Sequence, residues 1–271
     1  MPVVTPRPAG DAPATLAHAP TADIDRWLRT QAWVLALSAV FLATVFQSGT
    51  LDLALARVWF DPVSGGFPLR GAFVTQAILH DGAKKVSIAL ALATLVPAVR
   101  GMRGRIEWLR PGPAWTVALG MLLIPLATSV LKALTHRHCP WDVIDFGGYA
   151  PYVPLLALPP AGLPDGACFP AGHASVGFLW LAWAAALRPA NRRLARIAFI
   201  VAATAGLLLG GVQMMRGAHF LSHVLWSFWL AWAISLALSW LTSATHTRLS
   251  RSPHGDRRPP LRSRYTAPVG D

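Results

Sequence analysis

The chain has 271 residues, 54% of them hydrophobic and 13% charged, with a formal net charge of +12. A soluble domain carries roughly 25% charged residues, so this composition excludes a disordered chain, a disulfide-rich miniprotein and an ordinary cytosolic enzyme. The basic excess alone would suggest nucleic acid, but the apolar fraction points to a membrane instead, and no nucleic-acid role is expected.

Residues 1–30 are rich in Pro and Ala, lack an apolar signal-peptide core near the start, and read as an N-terminal tail. Six apolar stretches follow, at about 31–46, 86–99, 115–131, 173–187, 197–211 and 220–241, inside a membrane domain of 31–244. Several fall short of the roughly 20 residues a helix needs to cross a bilayer. Flanking Trp, Gly, Thr and Ser extend them without adding charge. Between the first two stretches lie two semi-apolar pieces, 51–60 and 71–83, split by Pro62, Gly65, Gly66 and Pro68. In the second piece Phe73, Ala77 and Ile78 share a helical face, which predicts a short amphipathic helix along the membrane surface. Residues 245–271 read as a basic C-terminal tail.

Arginine placement predicts the orientation. Arg7, Arg26 and Arg29 precede the first stretch, Arg100, Arg103, Arg105 and Arg110 follow the second, and Arg188, Arg192, Arg193 and Arg196 follow the fourth. Six more, from Arg248 to Arg264, lie in the C-terminal tail. By the positive-inside rule these segments are cytoplasmic. The expected topology has six spans with both termini inside, in a bacterial inner membrane.

Three polar clusters then fall on the opposite, periplasmic face. The first runs from Lys132 through His136, Arg137, His138, Cys139 and Pro140 to Asp142. The second is Cys168, Pro170, Ala171, Gly172 and His173, and the third runs from Gln213 through Arg216 and His219 to His223. Cations at span ends are costly unless functional. Their chemistry suits a phosphate. Lys132, Arg137 and Arg216 supply positive charge for the equatorial oxygens. Backbone N–H groups at Ala171 and Gly172 open a helix and favour an anion. Two histidines can serve as nucleophile and general acid.

The order and spacing of these residues resemble the type 2 phosphatidic acid phosphatase (PAP2) superfamily of membrane phosphatases, with its K-x6-R-P, P-S-G-H and S-R-x5-H-x3-D motifs, over roughly 51–241. Lys132 and Pro140 match the first motif; Pro170, Gly172 and His173 match the second; His219 matches the third. The resemblance implies a six-helix membrane bundle without cofactor or metal that cleaves phosphate from a lipid phosphate or diphosphate. It implies His219 as nucleophile and His173 as general acid. Cys139 and Gln213 stand where the family has Arg, Val212 and Ala171 where it has Ser, and His223 where it has the Asp that orients the nucleophile. Arg137 and Arg216 are the expected replacements for the two arginines. Asp142, Asp145 or His223 is expected in place of the carboxylate. Two other outcomes stay open: phosphotransfer between lipids, and an inactive binder or transporter of lipid phosphates.

The two cysteines flank the site, and a Cys139–Cys168 disulfide is expected in an oxidising compartment. It would close the 140–167 loop and contribute about 3–4 kcal/mol in the chain-entropy picture. The apolar loop between them either admits a lipid chain or packs on the helices. His219 and His223, four apart on one helix face, also have a zinc-ligand spacing. The Glu of the zinc-protease motif is absent, so no metal is expected.

Overall fold

The computed structural model describes residues 21–250, and among them the chain is helical, with no strand beyond isolated bridges. The order is α1 (Thr21–Val45), α2 (Thr50–Arg57), a π-helix (Val74–Gly82) running into α3 (Ala83–Met102), then α4 (Pro111–Thr135). Two short 3-10 turns, Pro140–Asp142 and Ile144–Phe146, start the long loop to α5 (Gly172–Phe178) and α6 (Leu181–Leu187). The bundle ends with α7 (Arg192–Met215) and α8 (Leu221–Ser250).

Among the described residues, five helical stretches are long and apolar enough to cross a membrane: Ala22–Val45, Val74–Met102, Pro111–Asp142, Arg192–Met215 and Leu221–Ser243. The α5–α6 stretch, Gly172–Leu187, is apolar but shorter. At 1.5 Å per residue it reaches on the order of 24 Å, below the ~30 Å hydrocarbon core. Outward rows such as Leu37, Val40 and Phe41 on α1 and Ile200, Val201 and Leu208 on α7 are exposed apolar side chains that only lipid suits. The chain is a multi-pass membrane protein.

α8 is the hub. It packs on α4, α5, α6, α1 and α7, and its Val224, Ala231, Trp232 and Leu236 join Val117 and Ile124 of α4, Phe178 of α5 and Ala202 of α7 in one core. Small residues let the backbones approach. A side chain on Gly177 of α5 would strike the backbone of Gly206 on α7, and one on Gly120 of α4 would strike Ala182 of α6. Asp23 of α1 pairs with Arg188 at 3.4 Å and Arg192 at 2.6 Å, and Arg188 lies 5.3 Å over the Trp27 ring. These contacts bring the basic ends of α1, α6 and α7 together.

Three sequence expectations change. The first helix begins at Thr21, inside the stretch read as an N-terminal tail, because Asp23 and Trp27 have tertiary partners there. The 71–83 piece is not a separate surface helix; its π-helix is continuous with α3 in a single apolar run, Val74–Met102. The amphipathic element between the first two long helices is α2 alone. The fourth apolar stretch bends at Leu179–Trp180, where Ala182 and Trp183 donate to carbonyls three residues back. The remaining tail residues lie outside the described residues.

A second, smaller core seats the polar end of the bundle. Ala56 of α2, Phe67, Val143, Phe146 and Phe220 pack together, with Phe60, Trp141 and Tyr152 against them. The first half of the 140–167 loop thus packs on the helices, whereas Leu156 and Leu158 stay exposed.

Candidate active site

Lys132 sits on the last turn of α4, and the chain leaves that helix through His136 in a left-handed conformation. The turn delivers Arg137 into the interior. Gly172 and His173 open α5, and Arg216 caps the C-terminus of α7. A short turn follows, with His219 just before α8 and His223 in its first turn. The structure brings these residues to one end of the bundle.

The histidines converge. His219 and His223 are buried, with ring centroids 5.8 Å apart, and the main chain of Cys168 lies against both. Lys132 and His173 are within electrostatic range of His219, and Lys132 and Arg137 within range of His223. Burial, followed by the nearby His223, Lys132 and His173, pushes His219 well below the ordinary histidine pKa, so its imidazole is neutral. Buried Nδ1 of His219, Nδ1 of His223, Nε2 of His173, and Nε and Nη1 of Arg137 have no hydrogen-bond partner in the protein. Each such orphan costs about 1–3 kcal/mol.

The cations are held differently. Arg137 uses Nη2 to donate to the carbonyls of Leu155 (2.9 Å) and Ala157 (2.6 Å), leaving the rest of its fork unpaired and buried. Arg216 donates to the Arg70 carbonyl from Nε (3.2 Å) and Nη2 (3.1 Å), to Gln213 Oε1 from Nη1 (2.8 Å), and to Gln76 Oε1. Gln213 therefore grips the arginine three residues on. Gly172 faces Lys132: a Cβ there would meet Nζ at 3.7 Å, ordinary van der Waals contact.

Other expectations are corrected. The Ala171 N–H is not free for an anion: Ala171 is fully buried and donates to Ser227 Oγ at 2.8 Å. Asp142 Oδ2 accepts from the Cys139 N–H at 3.2 Å, and Asp145 pairs with Arg57 at 3.3 Å, so neither replaces the missing carboxylate at His219. His136 pairs with Asp165 (3.0 Å) and His138 meets the Pro164 carbonyl (3.0 Å), so neither joins a His219–His223 metal set. Cys139, Asp142 and Cys168 bring ligand-type atoms within 4.8 Å of one another. The two sulfurs there are in direct contact with Cα atoms 5.2 Å apart, the separation of a disulfide.

Two groups at the site escaped the sequence reading. His80 of the π-helix stacks on His173, and Asp52 of α2 accepts hydrogen bonds from Ser222 N–H (2.9 Å), Ser222 Oγ and Tyr152 Oη (2.9 Å). Both carried a signal. An ionisable residue in or beside a membrane helix is functional by default, and His80 falls within a span once that span is begun at Val74.

The PAP2 superfamily matches over residues 113–246, the stretch that holds Lys132, Arg137, His173, Arg216, His219 and His223. Residues 113–246 belong to the PAP2 superfamily. Among solved structures, a transmembrane PAP2-type phosphatidylglycerolphosphate phosphatase from Bacillus subtilis is 18% identical, with 80% of this chain and 96% of that one covered and a TM-score of 0.46. No curated protein matches the chain.

The PAP2 region thus starts at α4, and α2 and the π-helix contribute Asp52, Gln76, His80 and Asp81 from outside it. A cavity of about 620 Å³ opens where α3 meets the PAP2 helices. Lys84, Lys132, Gly172 and His173 stand at its polar end, and Ile88, Leu92 and Leu95 of α3 with Met121, Leu122 and Pro125 of α4 line its length.

Proposed function

We propose that the protein is a lipid phosphatase that removes phosphate from a lipid monophosphate or diphosphate through a phosphohistidine. The observation that carries this is the set of buried, unpartnered donors and ring nitrogens on Arg137, His173, His219 and His223 around Lys132. A phosphate satisfies them together, since its oxygens accept from several cations at once. The adjoining apolar cavity matches a hydrocarbon chain.

In this reading Lys132, Arg137 and the Gly172 main chain bind the phosphoryl oxygens, and Arg216 adds positive charge from the rim. A ring nitrogen of neutral His219 attacks phosphorus, and the bond from phosphorus to the leaving oxygen breaks. Protonated His173, favoured by the bound phosphate's own charge, gives its proton to that oxygen. Water then attacks the phosphohistidine, returning a proton to His173 and releasing phosphate. His223 flanks His219 and holds its ring. The α5–α6 stretch serves as a sixth span, both termini lie in the cytoplasm, and the site faces the periplasm of a bacterial inner membrane. The touching sulfurs of Cys139 and Cys168 form a disulfide there.

The test is purified protein given a panel of lipid phosphates with chelator present. Phosphate release is expected, His219→Ala lowering it by at least about 10³-fold and His173→Ala by about 10²–10⁴-fold. Phosphate appearing on an added lipid alcohol would instead mark a transferase. Full turnover in His219→Ala would end the phosphohistidine reading.

A further inference from the structure

The three PAP2 motifs leave the π-helix at Val74–Gly82 unexplained. It places Gln76, His80 and Asp81 in the first turns of a membrane-length span, Val74–Met102, and polar groups there are costly without a task. π-Winding is itself rare and concentrated at functional positions. The segment packs on α7, and α3 beyond it packs on α5.

Its contacts join two parts of the site. The His80 ring lies on the His173 ring, with centroids 3.9 Å apart and planes 30° from parallel. His80 Nδ1 is 2.8 Å from Asp81 Oδ1, and Asp81 Oδ2 accepts from Gln76 Nε2 at 3.3 Å. Gln76 Oε1 in turn accepts from Arg216. Gln76 and Asp81 are five residues apart, the i→i+5 spacing of π-helix hydrogen bonds, whereas an α-helix would rotate them apart by roughly 140°. The wider turn is what lets the chain from His173 to Arg216 close.

We propose that this π-wound turn is a fourth part of the active site, in which His80, held by Asp81, is the positioning residue for His173. The proposal rests on the phosphatase reading above. His173 Nε2 has no partner within the protein, so ring stacking rather than a hydrogen bond at that atom fixes the plane in which the acid meets the leaving group. The charged groups facing the pair are Asp81, Lys84 and Lys85 from the π-helix and α3, Lys132 from α4 and Arg216 from the α7–α8 turn.

A positioning role for the acid makes a specific prediction about leaving groups. An alkyl alkoxide must be protonated as it departs, whereas p-nitrophenolate departs without help. The measurement is kcat/KM of the full-length protein for a long-chain alkyl phosphate and for p-nitrophenyl phosphate. His80→Ala is expected to lower the alkyl-to-nitrophenyl ratio at least about 10-fold. It is also expected to add no further loss in a His173→Ala background, because residues acting as a unit are not additive. Asp81→Asn, nearly isosteric, is expected to lower the same ratio by a smaller factor, and it carries the test if His80→Ala fails to fold. Equal losses on both esters, additivity with His173→Ala, or an unchanged ratio in Asp81→Asn would overturn the proposal. If the wild-type protein hydrolyses neither ester, the phosphatase reading fails and this inference falls with it.

Discussion

At the start of α8 a single buried carboxylate, Asp52, holds Ser222 by both its N–H and its hydroxyl, and takes a third hydrogen bond from Tyr152. Burial pushes this carboxyl above the ordinary aspartate range, against the opposing pull of Ser222 and Tyr152. The same burial, with Asp52 nearby, raises the Tyr152 phenol and keeps it a donor. Because Ser222 adjoins His223 and lies three residues after His219, Asp52 sets where the histidine pair sits. Asp52→Ala leaves three donors unpaired, at about 1–3 kcal/mol each before relaxation. A lowered melting temperature and reduced phosphate release are expected, with Asp52→Asn milder on both. A thermal melt and a turnover assay check this, and an unshifted melt in Asp52→Ala would show that the carboxylate bears no load. His219 offers a pH test. A nucleophile is lost when protonated, and burial lowers this histidine's pKa. The acid limb of kcat/KM is therefore expected below the ordinary histidine value of about 6.5. A limb at or above that value would mean that His219 is not the group titrating.

At the scale of elements, the proposed lipid phosphatase would use the α3–α4 cavity for both chain and head group. Lys84 at the start of α3 and Lys132 at the end of antiparallel α4 meet at the same end, with apolar positions running away from them. Ala91→Trp or Ala118→Trp would fill that space. Each is expected to raise KM for a long-chain substrate about 10-fold or more while leaving a short-chain ester within about 3-fold, since apolar burial scales with chain length. Equal effects on both would place the chain elsewhere. These elements also show how far the sequence could be read. Apolar runs located α4, α7 and α8, and the spacing from Lys132 to His223 located the end of the bundle where the histidines gather. The start of the second span was hidden because Gln76, His80, Asp81, Lys84 and Lys85 break the hydropathy, and the partners of His80 and Gln76, His173 of α5 and Arg216 at the end of α7, lie far along the chain. Asp52 was hidden for a related reason: its partners lie 100 and 170 residues away.

For the whole molecule, the two kinds of basic residue separate in space as they do along the chain. Asp23 gathers Arg188 and Arg192 at one end, while Lys132, Arg137 and Arg216 meet the histidines at the other. Positive charge flanking spans resists translocation, so the Asp23 end is expected in the cytoplasm and the histidine end outside. Ala161 is exposed in the loop at the histidine end, and Glu107 is exposed in the basic turn between α3 and α4. With Cys139 and Cys168 joined as proposed, a single added cysteine reports its own side. A membrane-impermeant maleimide applied to intact cells is expected to label Ala161→Cys at once and Glu107→Cys only after the membrane is opened. The wild-type protein, denatured without reductant, is expected to take up no label and to gain two after reduction. Labelling of Glu107→Cys in intact cells would invert the topology and put the histidines in the cytoplasm, where the disulfide has no oxidising surroundings to form.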